Sequence, residues 1–141
     1  MSQENVELHR CAIKAFNAHD VEAFIALCDP GVEAISVFAA IGGGVYHGHD
    51  GLRQFFSDGA DAWGDEIRGE VEAFFDLGED TLAFYVLHGR GRQSGAEVAM
   101  PLAQVIRWRN GLGVYFKVYA HRGDALSDLG VSEDSLEPIE P

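Results

Sequence analysis

Between Ala15 and Glu33 the chain commits in turn to a helix end, a tight turn, a short second helix and the start of a strand, and this corner limits the folds open to it. Asn17-Ala18-His19 interrupts a helical apolar pattern. Asp20 is placed to cap the next helix, because its carboxylate can accept from the free backbone N–H groups of a first turn. Val21, Ala23, Phe24 and Leu27 supply that helix's buried side. Pro30-Gly31 predicts its end, since proline lacks the N–H a helix interior needs. Val32 to Phe38 then reads as a strand.

The pattern around this corner is consistent with it. A first helix is predicted from about Gln3 to Ala18, with Ser2 as N-cap and Glu4 favoured in the first turn. Val6, Leu8, Ala12, Ile13, Ala15 and Phe16 form its apolar stripe, while His9 and His19 read as exposed helix and turn residues. Gly42 to Gly48 reads as a loop or short ribbon, and a third helix runs from His49 or Asp50 to Trp63. Everything after Glu66 has strand character. Glu66–Leu77 and Thr81–Arg92 are joined by Gly78-Glu79-Asp80, and Ala96–Trp108 and Leu112–His121 by Arg109-Asn110-Gly111, a hairpin signal. Gly69, Gly89 and Gly91 are candidate bends. A short helix is expected over Asp124–Leu129. The acidic, proline-containing segment 132–141 predicts a poorly ordered tail after a single domain spanning 1–131. The order α-α-β-α-β-β-β-β is an α+β pattern.

A chain of 141 residues that is 47% hydrophobic, with nine Phe, has enough apolar material for one core and a lined cavity. A net charge of −13 argues against nucleic acid and anionic membrane as partners, since both demand a basic surface. Cys11 and Cys28, both on predicted helices, form no C-x-x-C pair and read as buried thiols in a reducing compartment. The polar start and the lack of any long apolar run predict neither signal peptide nor membrane span, hence a cytoplasmic protein.

Several short pieces, in this order and spacing, resemble the SnoaL-like branch of the nuclear-transport-factor-2-like superfamily. They are Ala15-Phe16-Asn17-x-x-Asp20-Val21-x-Ala23-Phe24, Asp29-Pro30-x-Val32-Glu33, Gly44-Val45-Tyr46-x-Gly48-x-x-Gly51-Leu52-x-x-Phe55-Phe56, and Tyr119 followed by Arg122. The resemblance spans about residues 3–129. It implies a cone-shaped, strongly curved mixed or antiparallel sheet packed on the long N-terminal helix and enclosing a pocket. It also implies a homodimer through the sheet's outer face.

The same resemblance removes one chemistry. Members similar to ketosteroid isomerases use a helix tyrosine, a strand aspartate and a later protonated acid, and those positions fall here at Ala12, near Ile35, and at Gln104. None of the three can titrate as required. The Asp–Arg–Asp cluster of limonene-epoxide-hydrolase-like members also has no acid in place among Phe84–Arg90 or Leu102–Trp108.

Gln104 shares a strand face by period two with Met100, Leu102, Ile106 and Trp108, so its amide needs a partner, either a ligand oxygen or a neighbouring side chain. His121, following Tyr119 near the end of the last strand, stands where SnoaL-like cyclases often carry a catalytic aspartate, and it titrates near neutrality. His88 with Arg90 could act as a base beside an anion clamp, although Ala83, Tyr85 and Leu87 would equally suit burial on that strand. Phe16, Tyr46, Phe56, Trp63 and Trp108, with Met100 and Tyr119, are candidates for a pocket wall. His47-Gly48-His49-Asp50 has no third ligand nearby and does not predict a metal. The Gly42-Gly43-Gly44 run lacks the lysine and helix start of a phosphate loop. These residues point to a pocket for a small, largely apolar organic molecule. Two uses of it stay open: acid–base isomerisation, cyclisation or dehydration without a cofactor, or non-catalytic ligand binding or dimerisation.

Overall fold

The structure is a computed structural model that describes residues 2–36, 44–64, 66–90 and 95–141. The expected strand ends at Phe38 and Arg92, and Gly42, Gly43 and Gly91, lie outside the described residues, as does the side chain of Ser2. In chain order the elements are α1 (Ser2–Asn17), α2 (Val21–Ala26), β1 (Cys28–Ser36), β2 (Val45–His47), α3 (Gly48–Trp63), β3 (Arg68–Leu77), β4 (Asp80–Arg90), β5 (Glu97–Arg109), β6 (Leu112–Tyr119) and α4 (Arg122–Leu129). A 3-10 turn at Glu133–Ser135 follows.

The strands form one mixed, open sheet in the order β2-β1-β6-β5-β4-β3, with β1 parallel to β6 and the other neighbours antiparallel. This is the α+β architecture that the sequence pattern predicts. Asp20 caps α2 as expected, its Oδ1 accepting from Ala23 N–H at 3.1 Å. Asn110 and Gly111 both take positive φ, 52° and 77°, as a two-residue hairpin of this type needs.

Two local expectations give way to longer-range pairing. Pro30-Gly31 does not end α2. That helix stops at Ala26, and Cys28 already pairs with Gly113 of β6. Pro30 instead lies in the stretch where the β1–β6 register shifts, an irregularity that tolerates a residue without an N–H. Cys28 therefore begins a strand rather than sitting on a helix. The second difference is β2, a short ribbon that supplies the sixth strand.

Side chains alternate between the two sheet faces. Ala83, Tyr85 and Leu87 of β4, Leu102, Gln104, Ile106 and Trp108 of β5, and Phe116 and Val118 of β6 face α1, α2 and α3. Leu82, Phe84, Ala103, Val105 and Tyr119 face outward, where α4 and the C-terminal segment cover part of the sheet through Ala125, Leu126, Leu129 and Leu136. Each large apolar side chain so buried stabilises by about 1.5–3 kcal/mol. The C-terminal segment, for which composition predicts poor order, forms a two-bond bridge with β3. Phe74 N–H donates to Ile139 O at 2.9 Å, and Ile139 N–H donates to Phe74 O at 2.7 Å.

Candidate ligand-binding site

Between α1, α3 and the helix-covered face of the sheet lies a cavity of about 80 Å³ with a mostly apolar wall. Its position follows from two anchors. Asn17, at the end of α1, bonds both peptide groups of Gly69 on β3, which pins the helix end against the sheet. An added Cβ at Gly69 would come within 3.3 Å of the Tyr85 ring, so glycine is what allows this approach. The second anchor is an aromatic cluster. Phe56 of α3 meets Phe16 at 5.8 Å and Phe24 at 5.1 Å between ring centroids. Phe55 meets Phe116 edge-on at 5.4 Å. Tilted and edge-on rings of this kind pack rigidly and hold a shaped wall.

Polar groups on that wall are few. Trp63 Nε1–H is buried and has no hydrogen-bond partner among the described residues. Tyr85 is 6% exposed, and its hydroxyl bonds to none of the described residues. Burial raises its phenol well above the ordinary range, so it stays protonated. Gln104 also lines the cavity. Its Oε1 lies 3.0 Å from His9 Nε2, and its amide nitrogen bonds to none of the described residues. Behind Gln104 the chain of bonds continues through His9 Nδ1 to Thr81 Oγ1 at 2.8 Å and from Trp108 Nε1–H to the same Thr81 Oγ1 at 2.9 Å. His9 is not the exposed helix residue its sequence context suggests but is 0% exposed. Burial, only partly offset by the Gln104 bond, lowers its pKa to about 4, so it is neutral at physiological pH.

The structure brings Phe16, Phe56, Trp63 and Gln104 together at the cavity. Tyr46 is buried behind α3, with its hydroxyl donating to Asp58 at 2.7 Å. Trp108 lines a separate small hollow, and Met100 packs beside Leu102 and Tyr85. Tyr119 stands on the outer face, donating to Asp128 at 2.9 Å. His88 is also on that face, 3.1 Å from Glu70, while Arg90 is exposed and bonds Glu97 at 2.8 Å. His121 is exposed just before α4 and makes no side-chain capping bond. His49 bonds the Cys28 carbonyl at 2.9 Å, and no three metal-ligating side chains cluster among the described residues. Cys11 and Cys28 are free thiols, but Cys11 is exposed on α1 rather than buried, whereas Cys28 is half-buried and pushed up to about 12 by burial. Ile35, the position aligned with an isomerase base, is followed by the inward residue Ser36, which lines the cavity but is no base.

Tyr85, His9, Thr81 and His19 are the cavity and network residues that sequence reasoning missed. His9 did leave a signal. It falls three residues after Val6 and four before Ile13, on the apolar stripe of α1, where a polar group needs an internal partner. His19 lines the cavity at its exposed end.

A six-stranded mixed sheet packed with a long N-terminal helix is the architecture of a nuclear-transport-factor-2-like fold, a group that includes isomerases and cyclases. The chain belongs to the SnoaL-like domain family, whose profile matches residues 10–116. It is similar to the crystal structure of an NTF2-like protein of unknown function from Burkholderia pseudomallei, at 20% identity and a TM-score of 0.76, over 88% of this chain and 95% of that one. It is also similar to a protein of ketosteroid-isomerase-like fold from Catenulispora acidiphila in complex with trimethylamine, at 14% identity and a TM-score of 0.73, over 91% and 95%. TerC co-crystallised with polyporic acid aligns at 18% identity and a TM-score of 0.74, over 89% and 97%. At these identities the likeness is one of fold. Among curated protein sequences there is no significant match.

Proposed function

We propose that this protein binds a small, largely apolar organic molecule in the cavity, with the ligand's oxygen paired to wall donors. One observation carries this reading: Trp63, whose buried Nε1–H has no partner among the described residues, lines the same apolar cavity wall as Gln104, whose amide nitrogen bonds to none of them. An unpaired buried donor costs about 1–3 kcal/mol, and a ligand acceptor removes that cost. Apolar walls with a few placed polar groups are the usual composition of a small-molecule site. Size narrows the ligand further. The space is about 80 Å³, against ~150 Å³ for an apolar cavity that encloses benzene. A compact polar end therefore enters, and the rest of the molecule extends toward His19. The polyporic acid bound by one similar fold is an organic molecule that carries oxygens, whereas the trimethylamine bound by another carries none.

The cavity wall carries no carboxylate among its described residues. His19 is the one imidazole on that wall. Binding is thus the primary reading, and a proton-transfer role on a bound carbonyl compound falls to His19, with His88 and His121 outside the cavity. A homodimer, the further expectation from the resemblance, would use the outer face around Val86 and Pro101 that α4 leaves open, and sedimentation at micromolar concentration tests it.

Calorimetric titration with acetophenone tests the binding reading. Saturable binding is expected, weakened about tenfold by Gln104→Leu and by Trp63→Phe, as loss of one buried hydrogen bond predicts. No binding at millimolar concentration, or binding unchanged in both variants, rejects it.

A further inference from the structure

The bonds behind Gln104 have a direction, and the direction selects the ligand. An indole N–H can only donate, so Thr81 Oγ1 accepts from Trp108. The threonine proton then has one described neighbour to go to, His9 Nδ1 at 2.8 Å. With Nδ1 accepting, a neutral His9 carries its proton on Nε2 and donates to Gln104 Oε1 at 3.0 Å. With that oxygen engaged, the NH₂ of Gln104 is left for the cavity.

The opposite assignment is self-consistent at His9 and Gln104 alone. Nδ1 would donate to Thr81, and a flipped amide would donate to Nε2 and present its oxygen to the cavity. It fails at Thr81, which would accept twice while its own proton, in a side chain 0% exposed, met no described acceptor. Trp108 decides between the two states because it is the one member of the chain that cannot reverse.

We infer that Gln104 is a specificity-determining residue, set as a hydrogen-bond donor by the positioning chain Trp108–Thr81–His9, and that the buried end of the ligand is a neutral carbonyl oxygen, as in a ketone, aldehyde or quinone. This rests on the binding reading above. Trp63 Nε1–H adds a second obligate donor, and the protonated Tyr85 hydroxyl can donate as well. A neutral carbonyl fits better than a carboxylate, because apart from His19 no residue on the described wall can carry positive charge.

The test has two arms. Long-range ¹H–¹⁵N spectra of the histidine rings in the full chain at neutral pH read the tautomer without any ligand. A neutral His9 protonated at Nε2 is expected, and the Nδ1–H form overturns the proposal. Calorimetry then compares acetophenone, an acceptor, with aniline, a donor of similar size. Acetophenone is expected to bind about tenfold more tightly. Thr81→Val removes the donor to Nδ1, frees the tautomer and should bring the two affinities together, while Thr81→Ser keeps the preference. Should the valine variant not fold, the wild-type preference and the tautomer still decide. Aniline binding as well as or better than acetophenone overturns the proposal. If neither probe binds while His9 shows the Nε2–H form, the small-molecule reading fails and the carbonyl preference with it, whereas the amide orientation stands.

Discussion

Asn17 holds Gly69 by both of its peptide groups: the side-chain Oδ1 accepts from Gly69 N–H at 2.7 Å, and Nδ2 donates to the Gly69 carbonyl at 2.8 Å. An asparagine amide is the short side chain that presents a donor and an acceptor in the geometry a peptide offers. The pair fixes the end of α1 on β3 beside the cavity wall. Asn17→Ala is expected to cost about 1–3 kcal/mol, the range for two part-buried hydrogen bonds. Asn17→Asp, which keeps one acceptor but leaves the Gly69 carbonyl without its donor, should recover only part of that. Urea denaturation of both variants measures it, and equal stability of Asn17→Ala and wild type contradicts the clamp.

The neutral, buried His9 makes stability depend on pH. Its folded-state pKa is lowered from 6.5 to about 4, by burial first and against the Gln104 bond. Between those values the unfolded chain binds a proton that the folded chain does not, so acid favours unfolding. Stability should be full above 6.5 and fall as pH drops toward 4, by roughly 3 kcal/mol at the lower end. Glu22, lowered mainly by its Arg53 bond, and Asp58, lowered mainly by its Tyr46 bond, add to the loss only below their ordinary 4.5 and 3.8. NMR titration of the folded protein checks the cause directly. The His9 ring should stay neutral to about pH 4, and a His9 that protonates near 6.5 removes the effect.

How much of this was legible beforehand depends on the range of the interaction. Asp20 as a helix cap and Asn110-Gly111 as a turn are local, and the sequence states them. Gln104 was placed on the cavity face by counting every second residue along one strand. The partners of His9 were not legible, because Thr81 and Gln104 lie 72 and 95 positions away and only the β4–β5 register brings them together. Pro30 misled for a related reason: a local helix-stop rule lost to pairing with β6. Tyr85 and His88 stand three apart on one strand with either face suited to burial, and the pairing of Tyr85 with Val71 and Leu102 settled which side each took.

The C-terminal segment tests whether composition or pairing governs a chain end. β3 is an edge strand, and an edge strand left open invites pairing with another chain. Ile139 covers it at Phe74 with two backbone bonds and packs against the cluster of Val6, Ile13, Phe74 and Ala83. Hydrogen exchange should show the Phe74 amide protected together with the β3 amides that bond to β4. Ile139→Asp should abolish that protection, lower stability by about 1–3 kcal/mol and raise aggregation on warming. A Phe74 amide that exchanges rapidly in the wild type means that the segment does not hold.

His19 tests the site against the fold. It follows α1 with φ of 56°, its N–H donating to Phe16 O and the Asp20 N–H to Ala15 O, a helix end that glycine ordinarily supplies. A side chain in this left-handed conformation costs roughly 1–2 kcal/mol. That cost falls at the residue that lines the exposed end of the cavity, so a functional role for His19 can be separated there from a helix-end role. His19→Gly should therefore raise stability, by about 1 kcal/mol in urea denaturation, while it weakens acetophenone binding. His19→Asn, which tolerates the same backbone but lacks the imidazole, separates the two effects: stability near that of wild type, with acetophenone binding weakened. A glycine variant that is more stable and binds with unchanged affinity would leave His19 as a helix terminus and nothing more.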